Sequence, residues 1–204
     1  MQLIIISPPD DFPDEHQVVR RILQRTSADF HLRKPEYSRE ALAAYLHRIP
    51  VDLHLRIMVH GHPDLLDRCD IGGIHFTERQ RIADPLAVQR LRQKHPNCRI
   101  SSAFHCIADI SSSGDLLDYA FLSPIYDSIS KPGYRTTFDR RELAAFLART
   151  DRRVVALGGI DGRRIAEAGA LGFWGVAVLG GVWADTVPEQ SAQELAARCD
   201  GTNR

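Results

Sequence analysis

Short continuous apolar runs alternate along this chain with longer stretches whose apolar residues recur every three or four positions. The first pattern marks strands covered on both faces, the second helices with one buried side. Leu3–Ile6 opens the series and ends at the breaker Ser7-Pro8-Pro9; Glu15–Arg25 then places Val18, Val19, Ile22 and Leu23 on one helical face. Asp29–Arg33 predicts a second strand stopped by Pro35, and Ser38 can cap a helix carrying Leu42, Tyr45, Leu46 and Ile49. Leu55–His60 and Gly72–Phe76 predict strands three and four, with a short helix at His62–Arg68 between them. Asp84-Pro85 is the cap and first-turn proline of a helix running to about Lys94. Arg99–Phe104 predicts strand five, Ile107–Ser111 a short helix, and Tyr119–Ser123 strand six. Asp139 can cap a helix through Arg149 whose inner face carries Leu143, Phe146 and Leu147. Val154–Leu157 and Gly175–Leu179 predict strands seven and eight, joined by a helix that Asp161 can cap and that buries Ile165, Ala168 and Leu171. Pro188–Arg198 predicts the last helix.

Eight strands alternating with helices over 204 residues, with no linker or composition break, predict one domain, residues 1–204. The fold class is α/β, a single (β/α)8 TIM barrel near its minimum size. An open doubly wound sheet is disfavoured, because no Gly-x-Gly-x-x-Gly follows the first strand. Hydrophobic residues make up 44% and charged residues 25%, in keeping with one sizeable core. Lys+Arg and Asp+Glu balance at 26 each, so no overall field recruits nucleic acid or an anionic membrane, and any anion site must be local. Leu3–Ile6 is too short for a signal-peptide core and no apolar run approaches spanning length, so a cytoplasmic protein with no membrane partner is expected. Cys69, Cys98, Cys106 and Cys199 lack metal-type spacing and read as reduced thiols.

Candidate chemistry gathers at the strand ends. Strands seven and eight each end in a glycine pair, Gly158-Gly159 and Gly180-Gly181, where the backbone can approach an anion closely. Phosphate is the natural occupant, since barrels of this kind commonly hold one at the loops after their last two strands. Tight turns alone would also account for the glycines. His31, His60, His62, His75 and His105 all fall at or just past predicted strand ends, and imidazole suits acid–base work near neutrality. His60-Gly61-His62 could offer two zinc ligands, but spacing fixes no third, and no metal site is predicted.

Laid on this frame, nearly the whole chain resembles the superfamily of thiamin phosphate synthases and thiazole tautomerases. SPIYDSISK at Ser123–Lys131 resembles its sixth-strand motif, with Ser128, Ser130 and Lys131 at the polar positions where hydroxyls and an ammonium can donate to a phosphate or carboxylate. Gly158–Ile160 and Ala177–Gly181 match the family's phosphate-binding strand ends. The resemblance therefore implies that the backbone of Gly159, Leu179 and Gly180 holds the phosphate of a thiazole substrate. HLRK at His31–Lys34 resembles the second-strand motif: Arg33 matches a diphosphate contact, His31 replaces a glutamine, and Lys34 can substitute for the lysine that Pro35 displaces.

Departures from the family narrow the expectation. His60-Gly61 stands where the synthases have Asn-Asp, Gln80 replaces their second metal-binding aspartate, and Ala103 replaces a diphosphate-binding serine. Losing both acids removes the usual cradle for magnesium diphosphate, so no cofactor is expected, with magnesium implied only if synthase activity is retained. The tautomerase branch moves a proton on the ring of a thiazole phosphate carboxylate without metal. Its catalytic histidine aligns with Pro124, so another base is required: His60 first, at the family's substrate-contacting asparagine position, and His105 second. His75 belongs to the ordinary fourth-strand pattern. The resemblance thus implies an enzyme of thiamin biosynthesis acting on a small-molecule thiazole phosphate, by histidine-mediated tautomerisation. A synthase joining that phosphate to a hydroxymethylpyrimidine diphosphate is the first alternative, and a non-catalytic binder the second. Whether copies of the chain assemble is left open.

Overall fold

A computed structural model describes residues 1–126 and 138–202. Strands β1 (Gln2–Ile6), β2 (Asp29–Leu32), β3 (Ile57–His60), β4 (Gly73–Phe76), β5 (Arg99–Phe104), β6 (Tyr119–Leu122), β7 (Val154–Leu157) and β8 (Gly175–Val178) close in sequence order into one parallel barrel. Ile5 lies opposite Phe30, His60 opposite His75, and Gln2 opposite Gly175 where β8 returns to β1. The chain is a single (β/α)8 barrel, and no helix among the described residues is long and apolar enough to cross a membrane.

The outer helices are α1 (Glu15–Arg25), α2 (Arg39–Leu46), α3 (Glu78–Ala83), α4 (Ala87–Lys94), α5 (Ile107–Ser112), α6 (Arg140–Leu147), α7 (Arg164–Leu171), α8 (Gly180–Trp183) and α9 (Pro188–Gly201). Several caps follow the local sequence. The Ser38 hydroxyl accepts from the Ala41 N–H, Asp139 from Arg141 and Glu142, and Asp161 from Arg163 and Arg164. Asp84 behaves otherwise: it closes α3, and α4 begins only at Ala87. Its carboxylate pairs with Arg90. Strand β3 is shorter than its apolar run, because Val51–Arg56 winds into a 3-10 turn before the chain extends.

Most of the core lies between barrel and helices, and a smaller apolar cluster fills the interior from Ile4, Ile6, Met58, Tyr119, Phe121, Val155 and Ala177. Alternate residues of each strand share that interior. At the N-terminal end of the strands, Arg99 reaches across to Asp29 at 2.7 Å and to the Leu55 carbonyl at 2.8 Å. Between this ion pair and the opposite mouth sit His31 and His75, both fully buried, and His60, half-buried.

Burial disfavours the charged imidazolium, so all three histidines are held below the ordinary histidine range, His75 to about 3. An unfolded chain regains ordinary values near 6.5 and binds protons that the native state refuses, so the stability contributed by neutral burial is complete above about pH 6.5 and is lost as pH falls below it. Each unmatched proton steepens the loss by up to about 1.4 kcal/mol per pH unit, roughly 4 kcal/mol per pH unit for three. Urea midpoints taken between pH 7 and 5, with a chelator present so that no stray ion bridges the imidazoles, should fall steeply. A folded His75→Phe protein should lose about a third of that slope.

Candidate functional site

The C-terminal ends of β2, β3 and β4 enclose a cavity of about 450 Å³ lined by Arg33, Lys34, Pro35, His60, Gly61, His62, Thr77, Arg79 and Gln80. None of these described lining residues is acidic. The loop from β3 turns sharply, with Gly61 at φ 75° and His62 at φ 48°, and α3 begins directly after β4. Thr77 and Gln80 form a reciprocal cap at its start. The Thr77 hydroxyl accepts from the Gln80 N–H at 3.2 Å, and Gln80 Oε1 accepts from the Thr77 N–H and hydroxyl, both at 2.9 Å. The Gln80 amide nitrogen lies 3.0 Å from where a Cβ on Gly61 would stand.

These contacts decide the fit of magnesium. Its hard-oxygen preference calls for carboxylates, yet one of the two positions has no side chain and the other commits its amide oxygen to a helix cap. Among the described residues, the acids flanking the cavity in sequence are already paired: Asp64 with Arg39 at 2.8 Å, Glu78 with Arg81 at 3.8 Å. The described residues do not fit a magnesium diphosphate cradle.

Across the mouth, β7 and β8 bring their glycines together. Gly158 and Gly159 have φ of 98° and 64°, and a Cβ on Gly158 would meet Pro124 Cα at 3.0 Å, so close backbone approach requires glycine there. A Cβ on Gly181 would lie 3.3 Å from the Ile160 carbonyl, which places the two strand ends side by side. After Leu179 the chain enters the single-turn helix α8, whose first N–H groups have no intrahelical acceptor. The Trp183 indole anchors that turn by donating to the Ile6 carbonyl at 2.7 Å. Arg164 donates to the Gly159 carbonyl and lies over the Tyr126 ring at 5.0 Å.

The histidines divide into two groups. His31 Nδ1 lies 3.0 Å from His60 Nε2, His31 Nε2 lies 2.7 Å from the Tyr119 hydroxyl, and His75 Nδ1 lies 2.8 Å from the Ser101 hydroxyl. His60 and His75 stack at 4.2 Å. His105 stands apart and exposed beyond β5. Its Nδ1–H donates to the Ser123 carbonyl at 2.7 Å, which leaves Nε2 of the neutral ring as acceptor, 4.0 Å from Glu78.

Of the residues singled out by sequence, Arg33 and His60 line the cavity, and Gly159, Leu179 and Gly180 stand at the ends of β7 and β8. His31 lies beneath, inside the barrel. Lys34 lines the cavity as well. Its buried ammonium donates to Glu15 at 2.5 Å and to the Asp10 carbonyl at 2.7 Å, because a lysine closed off from solvent needs a carboxylate partner. Ser128, Ser130 and Lys131 lie outside the described residues. Sequence reading missed α3, although Thr77-x-x-Gln80 is a capping-box signal, and it missed the gathering of His31, His60 and His75, which spacing along the chain does not reveal.

A family model described as thiamine monophosphate synthase matches residues 3–182. A solved thiamine phosphate pyrophosphorylase from Bacteroides thetaiotaomicron superposes with a TM-score of 0.81 at 26% identity over 98% of each chain. One from Pyrococcus furiosus gives 0.79 at 16% identity, over 98% of this chain and 96% of its own. A 3-hexulose-6-phosphate synthase from Salmonella typhimurium shares the fold at 0.68 and 13% identity, over 99% and 100% of the two chains. A search of curated protein sequences gave no match. With the match spanning β1 to α8 and the barrel closed as described, the chain belongs to the thiamine monophosphate synthase family.

Proposed function

We propose that this protein binds a hydroxyethylthiazole phosphate carboxylate and moves a proton on its ring, as a thiazole tautomerase does. The observation that carries the reading is the absence of acids among the described residues of the cavity, where arginine and imidazole side chains surround a position that a magnesium-dependent transfer would need to furnish with carboxylates. Arg33 supplies charge for the anionic substrate. The backbone at Gly159, Leu179 and Gly180 takes the phosphate, with Ser128, Ser130 and Lys131 contributing from the loop after β6.

His105 is the better acid–base of the two sequence candidates. Its Nδ1 proton is fixed by the Ser123 carbonyl, one residue before Pro124, where the tautomerase histidine aligns. Nε2 is thereby free to take a proton from one ring atom and return it to another, with no net change. His60 is less suited, since one ring nitrogen is engaged by His31 and burial opposes protonation.

Purified protein should interconvert thiazole phosphate carboxylate tautomers without the pyrimidine diphosphate, at a rate indifferent to added magnesium. Thiamin phosphate formed only when pyrimidine diphosphate and magnesium are both supplied would establish the synthase reaction instead, and binding without turnover would establish a non-catalytic binder. His105→Gln should keep substrate affinity and lose about 100- to 10,000-fold in turnover. An unchanged rate would remove His105 from the chemistry.

Gly180→Val should place a branched side chain at the first turn of α8 and abolish binding of the thiazole phosphate, read by calorimetry on protein whose circular dichroism matches the parent. Lys131→Ala should remove one charge-assisted hydrogen bond, typically about 1.5–3 kcal/mol, or roughly ten- to a hundredfold in affinity. Unchanged affinity in both variants would overturn the phosphate placement.

A further inference from the structure

The three imidazoles on β2, β3 and β4 form a cluster that proton transfer by His105 does not use. One ligand nitrogen from each of His31, His60 and His75 lies within 4.8 Å of the other two, and the ring centroids are 4.2, 5.2 and 5.3 Å apart. Tetrahedral zinc with bonds of 2.0–2.1 Å sets its ligand nitrogens about 3.3 Å apart. The 3.0 Å between His31 Nδ1 and His60 Nε2 is already near that edge, and a His75 nitrogen lies within 4.8 Å of one on each of the other two.

A further feature fits a bound ion. The nitrogens of His31 and His75 that face away from the cluster are held by the Tyr119 and Ser101 hydroxyls, the arrangement by which outer hydrogen bonds orient ligating imidazoles.

We propose that His31, His60 and His75 form a binding site for a zinc-class divalent ion at the floor of the cavity, with the remaining coordination position open towards the cavity that His60 lines. Three neutral imidazoles suit zinc, cobalt or nickel rather than magnesium or calcium. They leave the ion its full double charge. Arg33 beside it adds to that charge, so the open position favours water or an anionic group over a further cation.

The test needs no substrate, so its result is independent of the tautomerase reading. Tag-free protein, stripped with chelator and dialysed, is titrated with zinc by calorimetry and with cobalt by visible absorption. One equivalent should bind, with the intense visible bands of four-coordinate cobalt. His31→Gln and His75→Asn should each weaken binding about a hundredfold or more, and Tyr119→Phe, which keeps all three ligands, by about 10- to 100-fold. His47→Gln, an exposed histidine distant in the chain, should bind as the parent does. Should the ligand variants misfold, Tyr119→Phe still decides the matter. Absence of stoichiometric uptake, or uptake that folded His75→Asn and Tyr119→Phe leave unchanged, would overturn the site.

Discussion

Closure of the eight-stranded ring is the constraint on which the rest depends. Once β8 pairs with β1, every second residue of every strand is committed to one narrow interior, and no polar side chain placed there can turn aside to water. The interior must satisfy its polar groups from within. Arg99 and Asp29 do so as an ion pair at one end, while His31, Tyr119, His75 and Ser101 do so through neutral hydrogen bonds nearer the mouth, where His60 bonds His31 through one ring nitrogen only. The same closure brings Gly159 and Gly180, twenty-one residues apart in sequence, to adjacent strand ends, and it is why the rim of one barrel can present cationic and backbone donors to a single small anion.

Much of this architecture is legible in the chain because its signals are local. Apolar runs mark all eight strands, and Ser38, Asp139 and Asp161 cap where their sequence context says they should. Errors arise where two local signals compete. Asp84-Pro85 is a good helix start, but Thr77 and Gln80 had already begun a helix that ends at Ala83, so Asp84 serves its end instead. The single turn α8 is too short for any periodicity to register, and it is held by a tertiary bond from Trp183 to Ile6.

The candidate site was legible to a lesser degree, for the same reason. Arg33 and the glycine pairs announce themselves by position at strand ends. Lys34 does not, because its fate depends on Glu15, nineteen residues earlier, offering a carboxylate inside the fold. His60-Gly61-His62 offered two possible zinc ligands with no third fixed by spacing, whereas the converging nitrogens come from His31, His60 and His75, one on each of three consecutive strands. Side chains at matching register in neighbouring parallel strands meet although more than a dozen residues separate them, and no spacing rule along one chain captures that.

Electrostatics ties the two departures of this site into one argument. A pocket with two carboxylates and several arginines is balanced only when a metal diphosphate fills it, since the acids hold the cation and the arginines hold the phosphates. At the corresponding positions here there is a glycine and an amide whose oxygen is spent on a helix cap, while Arg33 and Arg79 remain. The balance shifts towards a bare anion. Histidines are the polar groups that can line such a pocket without altering its charge, because burial keeps those beneath it neutral. On the function proposed above, a carboxylated phosphate supplies the missing negative charge itself, and a glycine and a committed amide at the two positions match it better than a diphosphate that arrives with its own cation.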